Sequence, residues 1–288
     1  EERDTYDLDF THRFRVGSKQ EFLWGLGYRL MDDEILSSII FTVEPEHRSN
    51  ELFSAFIQDQ ITLHQDVLLT LGAKWEKNDY TGDEVQPSVK ISWKADDITH
   101  VWASVSQAVR TPAITEVDGS LHVVTLPPGC APPPDQLCSP VPIVAISSPA
   151  GELPSEELTA FEMGLRSTPS ARFNVDVSFY YNEYAKLRAF DYGAFEYKTD
   201  PVPHVLVEVG FANEVDGKTY GMEFTNKWTP TDELLFQLSY SYNVSDIDWP
   251  SVYDVQQNTP APRHQLSLQT AYHWSASVEA NIWLRYVH

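Results

Sequence analysis

Apolar and polar residues alternate with a period of two along most of this chain. Between residues 21 and 30, large apolar side chains recur at every second position, while Gly25, Gly27 and Arg29 lie on the other face. The same alternation returns at residues 88–94, 173–182, 234–243 and 278–286. Because successive side chains of a β-strand point to opposite faces, each run predicts a strand with one apolar and one polar face. The pattern predicts an all-β protein.

The connections between the predicted strands alternate between tight and long. The tight ones are residues 17–20, 64–66, 95–99, 168–171, 229–232 and 274–276, and the long ones are residues 31–50, 77–86, 111–156, 186–218 and 246–263. In an up-and-down sheet, this order places every long connection at the same end. Outer-membrane barrels have short turns at one end and long loops at the other. The order therefore predicts a transmembrane antiparallel β-barrel, of which about 12 strands are visible.

A soluble antiparallel sheet would show the same alternation, with its apolar face on a protein core. Two features favour the membrane. The strands run to about 10–12 residues, close to the length that crosses a bilayer at a tilt. Aromatic residues also recur at strand ends, where barrels carry interfacial girdles; these are Tyr28, Trp75, Trp93, Tyr181, Trp228, Tyr242, Trp274 and Tyr286. We expect the lipid-facing side to carry Phe22, Trp24, Val89, Ile91, Val175, Val177, Phe236 and Leu238.

The opposite face is predicted to line a hydrated lumen. It carries charged residues, which suit a water-filled lumen better than an ordinary protein surface. They are Lys90, Lys94, Glu162, Arg166, Glu223 and Lys227. Gly164 and Gly221 fall in the middle of strands, where glycine weakens the strand unless another backbone or a bulky side chain needs the space. We expect such a neighbour at both positions.

Composition narrows the function classes. The chain has 42 acidic and 20 basic residues and a formal net charge of −22, which argues against a nucleic-acid partner. It contains no apolar run long enough for a membrane helix. The nucleophile elbow, the zinc-protease helix, the P-loop and the dinucleotide fingerprint are all missing from the sequence, so no enzymatic activity, cofactor or metal site is predicted. The acidic loops suit either a solvated surface or divalent cations beside anionic lipid.

Two cysteines, Cys130 and Cys138, lie close together in the longest predicted loop, and several prolines surround them. An even number of cysteines in an exported loop predicts a disulfide. The spacing alone, without a neighbouring histidine, is a poor metal signature.

Six segments carry a family resemblance. They are FSAFIQDQITL at 53–63, LLTLGAKW at 68–75, WASVSQAVRTPA at 102–113, LPSEELTAFEMGLR at 153–166, the aromatic strand at 173–187 and GKTYGME at 217–223. In this order, and separated by hairpins, they resemble the strands of TonB-dependent outer-membrane receptors. The resemblance covers essentially the whole chain.

That resemblance implies a barrel of 22 strands around a plug. Residues 1–288 would then be a middle-to-late part of the barrel, without the plug and the closing C-terminal strands. It also implies a place in the outer membrane of a Gram-negative bacterium, in contact with lipid and lipopolysaccharide. The TonB energy-coupling protein would act through the missing N-terminal region. The implied function is active import of a scarce small molecule, with a ferric siderophore as the leading ligand.

Candidate ligand contacts lie in the long loops. Stacking and apolar contact would come from Phe190, Tyr192, Phe195, Tyr197, Trp249 and Tyr253. The same aromatic residues could instead pack the loops on one another. Arg110 is placed at the outer mouth, where it would either form a salt bridge with Glu116 or Glu157 or contact an anionic ligand.

Two other function classes stay open from the sequence. One is a passive porin-like or adhesin-like barrel, which would have no plug. The other is a soluble β-rich domain that binds or hydrolyses sugar, which would need a pair of carboxylates in one site. The alternation isolates no such pair.

Overall fold

The structure is a computed structural model that describes residues 2–38, 40–130, 138–248, 261–275 and 277–288. The strands in these ranges are β1 (Glu2–Val16), β2 (Gln20–Glu34), β3 (Phe41–Val43), β4 (His47–His64), β5 (Val67–Asn78), β6 (Gly82–Lys94), β7 (Thr99–Arg110), β8 (Gly119–Leu126), β9 (Gly129–Cys130), β10 (Cys138–Ser139), β11 (Ile143–Ser147), β12 (Glu156–Ser170), β13 (Phe173–Lys198), β14 (His204–Trp228), β15 (Leu234–Ile247), β16 (His264–Ser275) and β17 (Val278–Val287). A short helix, α1 (Ile114–Val117), precedes β8. No helix in these ranges is long and apolar enough to cross a membrane.

Twelve long strands form an antiparallel meander in the described part of the chain. Its order is β1-β2-β4-β5-β6-β7-β12-β13-β14-β15-β16-β17, and each strand pairs with the next. This confirms the predicted partial barrel and its strand number. Within the described ranges, β1 pairs only with β2 and β17 only with β16, so the sheet does not close on itself.

The register confirms the predicted apolar face. One row of paired residues crosses six strands, from Leu71 through Val89, Val105, Phe161 and Tyr181 to Tyr220. The other residues predicted for this face share its parity. Val89 is 47% exposed and Ile91 is 43% exposed, so this face is not enclosed between two sheets. It is the surface that a membrane barrel turns to lipid.

The opposite face carries the predicted charges, with Lys90, Ser104 and Glu162 in one row. The two mid-strand glycines lie on this face beneath aromatic rings. A Cβ on Gly164 would lie 2.7 Å from the indole of Trp102, and one on Gly221 would meet first the backbone carbonyl oxygen of Tyr242 and then the Tyr180 hydroxyl oxygen at 2.6 Å. Both glycines therefore make room for a bulky neighbour, as expected.

The structure has no long loop at two of the positions where one was predicted. At 77–86, the strands continue to Asn78 and resume at Gly82, because the Asn78 side chain accepts the backbone N–H groups of Tyr80 and Thr81 and closes a tight turn. At 186–218, the chain forms the outer part of a long β13–β14 hairpin. The apolar residues Val207 and Val209 are buried there and support strand pairing in place of the predicted loop.

Three connections join in a second ladder at the long-loop end, which we call the crossing sheet. It consists of residues 205–209 of β14, then β11, β8 and β3, and β11 runs parallel to β14. β3 belongs to the connection between β2 and β4. Neighbouring strands of a sheet lie about 4.8 Å apart. The path from β14 to β3 through the crossing sheet has three such spacings, whereas the path from β14 to β4 through the meander has six. The meander must therefore curve towards a tube.

The buried residues are concentrated around the crossing sheet. The apolar ones at this end are Ile35, Val43, Val117, Ile143, Leu153, Ala189, Val207, Val209 and Val215, and a tenth, Ala271, lies in β16. The wall of a membrane barrel needs no apolar core. The buried residues therefore show that the connections at the long-loop end pack against one another as an ordered structure.

Candidate functional site

An ion-pair network surrounds α1 at the long-loop end. Arg110, the last residue of β7, donates to Glu156 at 2.6 Å and to Glu116 of α1 at 3.3 Å. Arg188 of β13 donates through its guanidinium to Glu116, and its backbone N–H donates to Glu156 at 2.7 Å. Glu116 also accepts the Ala113 backbone N–H at 2.7 Å. The network ties α1 to three neighbouring strands, β7, β12 and β13.

Arg188 is the most buried charge in this network. Its side chain is 6% exposed, and its Nε and Nη2 groups are buried without a hydrogen-bond partner. Burial, and then the nearby charge of Arg110, lower the pKa of Arg188 to about 10. The group is therefore still cationic at neutral pH, with Glu116 as its contacting carboxylate. Sequence reasoning missed Arg188 because it lay in a segment predicted as a loop.

A second ion pair anchors the other side of this segment. Arg48 of β4 contacts the Asp118 carboxylate, and its guanidinium lies 4.8 Å from the centre of the Tyr80 ring. Burial raises the pKa of Tyr80. The Glu44 backbone N–H donates to the Asp118 carbonyl at 3.2 Å. The segment that contains α1 is thus held at both sides of the meander, and nothing in the sequence pattern singled out Arg48 or Asp118.

The predicted salt bridge of Arg110 is confirmed for Glu116 but wrong for Glu157. The register pairs Arg110 with Glu156, so the adjacent Glu157 points to the opposite face. There it contacts the Lys186 ammonium at 2.6 Å. Contact between Arg110 and an anionic ligand stays a prediction.

A cleft of about 590 Å³ lies between the β5–β6 turn and residues 151–155. The buried Ser155 hydroxyl donates to Glu84 at its wall. The charged lining residues are Asp79, Asp83, Glu84, Glu152, Glu157, Arg48 and Lys186. In the part of the chain that the structure describes, no group of three or more His, Cys, Asp or Glu side chains is arranged to hold a metal ion. The cleft is an open, polar and predominantly acidic recess.

The aromatic candidates lie in the β13 extension rather than in a loop. Phe190 packs against Phe211 with ring centres 5.5 Å apart, whereas Phe195 and Tyr197 are 62% and 63% exposed. Phe195 and Tyr197 occupy alternate positions opposite Val207 and Val205, so they share one face near the hairpin tip. The backbone of Tyr192 pairs with Val209. The two remaining candidates, Trp249 and Tyr253, lie outside the described residues.

The two cysteines meet in a small ladder of their own. β9 and β10 pair so that Cys130 lies directly opposite Cys138. Directly opposed residues on antiparallel strands lie within the Cα separation that a disulfide requires. No cysteine is free in the described ranges.

We expect thiol labelling of the unreduced, denatured protein to find no reactive cysteine, because Cys130 and Cys138 should be bonded. In the chain-entropy picture, so short a ring stabilises by about 2–3 kcal/mol at most, and only this connection should change on reduction. Labelling after reduction serves as the control and should find two thiols. Two reactive thiols before reduction would rule out the disulfide.

Comparison with known proteins bears on the whole chain. Residues 2–288 match the family described as TonB dependent receptor-like, beta-barrel. Over 82 residues, the chain is 27% identical to the ferric enterobactin receptor of Pseudomonas aeruginosa, a match that covers 28% of this chain and 11% of that protein.

Solved structures share the fold. The siderophore receptor PirA from Acinetobacter baumannii superimposes with a TM-score of 0.72 at 13% identity, over 98% of this chain and 42% of that chain. A mutant ferric enterobactin receptor from Pseudomonas aeruginosa, in complex with enterobactin, gives a TM-score of 0.73 at 16% identity, over 98% of this chain and 41% of that chain. The chain therefore spans about two fifths of the length of these structures. It belongs to the TonB-dependent receptor family and forms part of an outer-membrane β-barrel.

Proposed function

We propose that this chain is the ligand-binding barrel wall of a receptor that captures a ferric chelate of the siderophore type and imports it with energy from TonB. The observation that carries the proposal is the crossing sheet. It packs three connections together at the long-loop end. A polar cleft between the β5–β6 turn and residues 151–155 lies at the same end, as do the exposed side chains of Phe195 and Tyr197 on β13. Relatives with this fold include siderophore receptors and a ferric enterobactin receptor.

The remaining barrel strands would pair with the two edges of the meander, β1 and β17. An open strand edge is costly in lipid, because its backbone N–H and C=O groups have no partner there. We place the plug against the polar face and the lipid and lipopolysaccharide against the apolar face. TonB would act on the plug region, and this chain would supply the wall and part of the outer mouth.

A passive porin-like channel is disfavoured by the same feature. A pore that works by diffusion needs an open mouth, whereas ion pairs tie α1 and Asp118, the residue before β8, to β4, β7 and β13. An enzyme is disfavoured because the chain belongs to a family of receptors.

The proposal predicts that replacing Phe195 and Tyr197 together with alanine weakens binding of ferric chelates by the complete receptor. Each aromatic contact contributes about 0.5–1.5 kcal/mol, so the pair should raise the Kd roughly tenfold. The measurement is fluorescence quenching on titration with ferric tris-catecholate and tris-hydroxamate chelates.

The matched control replaces Phe161 and Phe179, two exposed aromatic residues of the apolar face, with alanine. This control should bind chelates as the unmodified receptor does, and heat-modifiable migration in gels should show that both variants assemble. Unchanged affinity in the Phe195 and Tyr197 variant would remove the hairpin tip from the site, and no binding of any chelate by the unmodified receptor would refute the proposed function.

A further inference from the structure

The positively charged side chains around the cleft already contact carboxylates of the protein. Arg48 contacts Asp118, and Lys186 contacts Glu157. In the adjoining network, Arg110 and Arg188 share Glu116, and Arg110 also contacts Glu156. Each of these four positive groups therefore has a protein carboxylate within contact distance, and its charge is compensated before a ligand arrives.

The carboxylates are in excess over these cations. Asp79, Asp83, Glu84 and Glu152 line the same cleft in addition to Glu157. Asp79 accepts the Glu51 backbone N–H, Asp83 accepts the Trp75 indole N–H, and Glu84 accepts the Ser155 hydroxyl. These donors are neutral, so they orient the carboxylates without cancelling their charge. Glu152 lies exposed at the rim.

The surrounding connections add negative charge. Glu34 is the last residue of β2, the connection from β2 to β4 carries Glu44 and Glu46, and Asp248 follows the end of β15. A concave, partly enclosed surface with one sign of charge focuses its potential and changes the local concentration of charged ligands. The long-loop end should therefore repel anions and attract cations.

We infer that the ligand of this cleft is a metal chelate of zero or positive net charge, such as a tris-hydroxamate chelate with a protonated amine, and not a trianionic tris-catecholate chelate. The inference rests on the proposed function and names the substrate class within it. It separates this chain from a receptor in complex with enterobactin, whose fold it shares at 16% identity.

The test is a titration of the complete receptor with three gallium(III) chelates of similar size. One is a trianionic tris-catecholate, the second a neutral tris-hydroxamate, and the third a tris-hydroxamate with one free ammonium group. We expect the neutral or the cationic chelate to bind at least about tenfold more tightly than the trianion. Affinity for the cationic chelate should fall as ionic strength rises, because salt screens the attraction.

Charge-reversal variants show whether the cleft is responsible. The double variant Asp83→Lys and Glu152→Lys should improve binding of the trianion and weaken binding of the cationic chelate, each by about tenfold. The matched control, Asp97→Lys and Asp232→Lys, makes the same charge change at exposed positions of the short turns and should alter neither affinity.

The outcomes separate the two proposals. Tight binding of the trianion by the unmodified receptor, equal to or better than the other two chelates, overturns the charge inference and leaves the proposed function standing. Binding of none of the three overturns the proposed function itself. Equal effects of the cleft variant and the control would show that the overall charge of the protein, not this cleft, sets the preference, and would overturn the assignment.

Discussion

Replacing Glu116 with alanine is expected to detach α1 from the barrel wall and to loosen the neighbouring strands β8 and β11 of the crossing sheet. The substitution leaves the buried guanidinium of Arg188 without its contacting carboxylate, and Arg188 already has two buried N–H groups without a partner. Removing one member of a buried ion pair costs about 3–5 kcal/mol. Hydrogen–deuterium exchange of the complete receptor should show much faster exchange in β8 and β11, while the meander strands keep their protection.

A second variant identifies the cause. In Glu116→Ala combined with Arg188→Met, no buried charge is left without a partner, so most of the protection in β8 and β11 should return. If the single and double variants exchange at the same rate, the loss of α1 contacts rather than the stranded charge explains the effect. Unchanged protection in the single variant would show that this network does not hold the crossing sheet.

Collapsing the inner-membrane proton gradient is expected to abolish ligand uptake while surface binding persists. The sequence carries no nucleotide-binding motif, and a β-barrel wall in the outer membrane has no energy source of its own. In the proposed receptor, ligand binding depends on the outer mouth, which folds without the gradient. The measurement compares accumulation of a radiolabelled ferric chelate in cells with and without a protonophore.

Cells that lack TonB provide the control for this experiment. They should bind the chelate at the surface and fail to accumulate it, with or without the protonophore. Accumulation that continues after the gradient collapses would identify a passive pore. Loss of surface binding in the same cells would mean that the protonophore acts on the receptor and not on its energy supply.

The sequence predicts the meander well because the alternation that defines each strand lies within the residues of that strand. The side-chain period is two, so a run such as the one through Phe22 and Trp24 defines both a strand and its lipid-facing side, and the rows from Leu71 to Tyr220 follow from those assignments. The pairing of Arg110 with Glu116 was predictable because both residues lie beside the same strand end.

The crossing sheet was not predicted because its pairs are distant in the chain. Ile143 lies opposite Val205 in a parallel ladder, and Phe41 lies opposite Leu121. Each segment sits inside a connection whose prolines and charges suggest a loop. A signal was present, however, since Val205, Val207 and Val209 alternate as strand residues do. The ion pairs of Arg48 and Arg188 depend on this pairing and were missed with it.

In the proposed receptor, the crossing sheet also lowers the free-energy cost of ligand binding. Ordering one residue of a flexible loop costs about 1–2 kcal/mol in backbone conformational entropy, and a receptor with loose loops loses that amount when the ligand arrives. Here β3, β8 and β11 are ordered by one another during folding. Contact energy at the mouth is therefore available for affinity and is not consumed in arranging the loops, which is the thermodynamic advantage of a preorganised site.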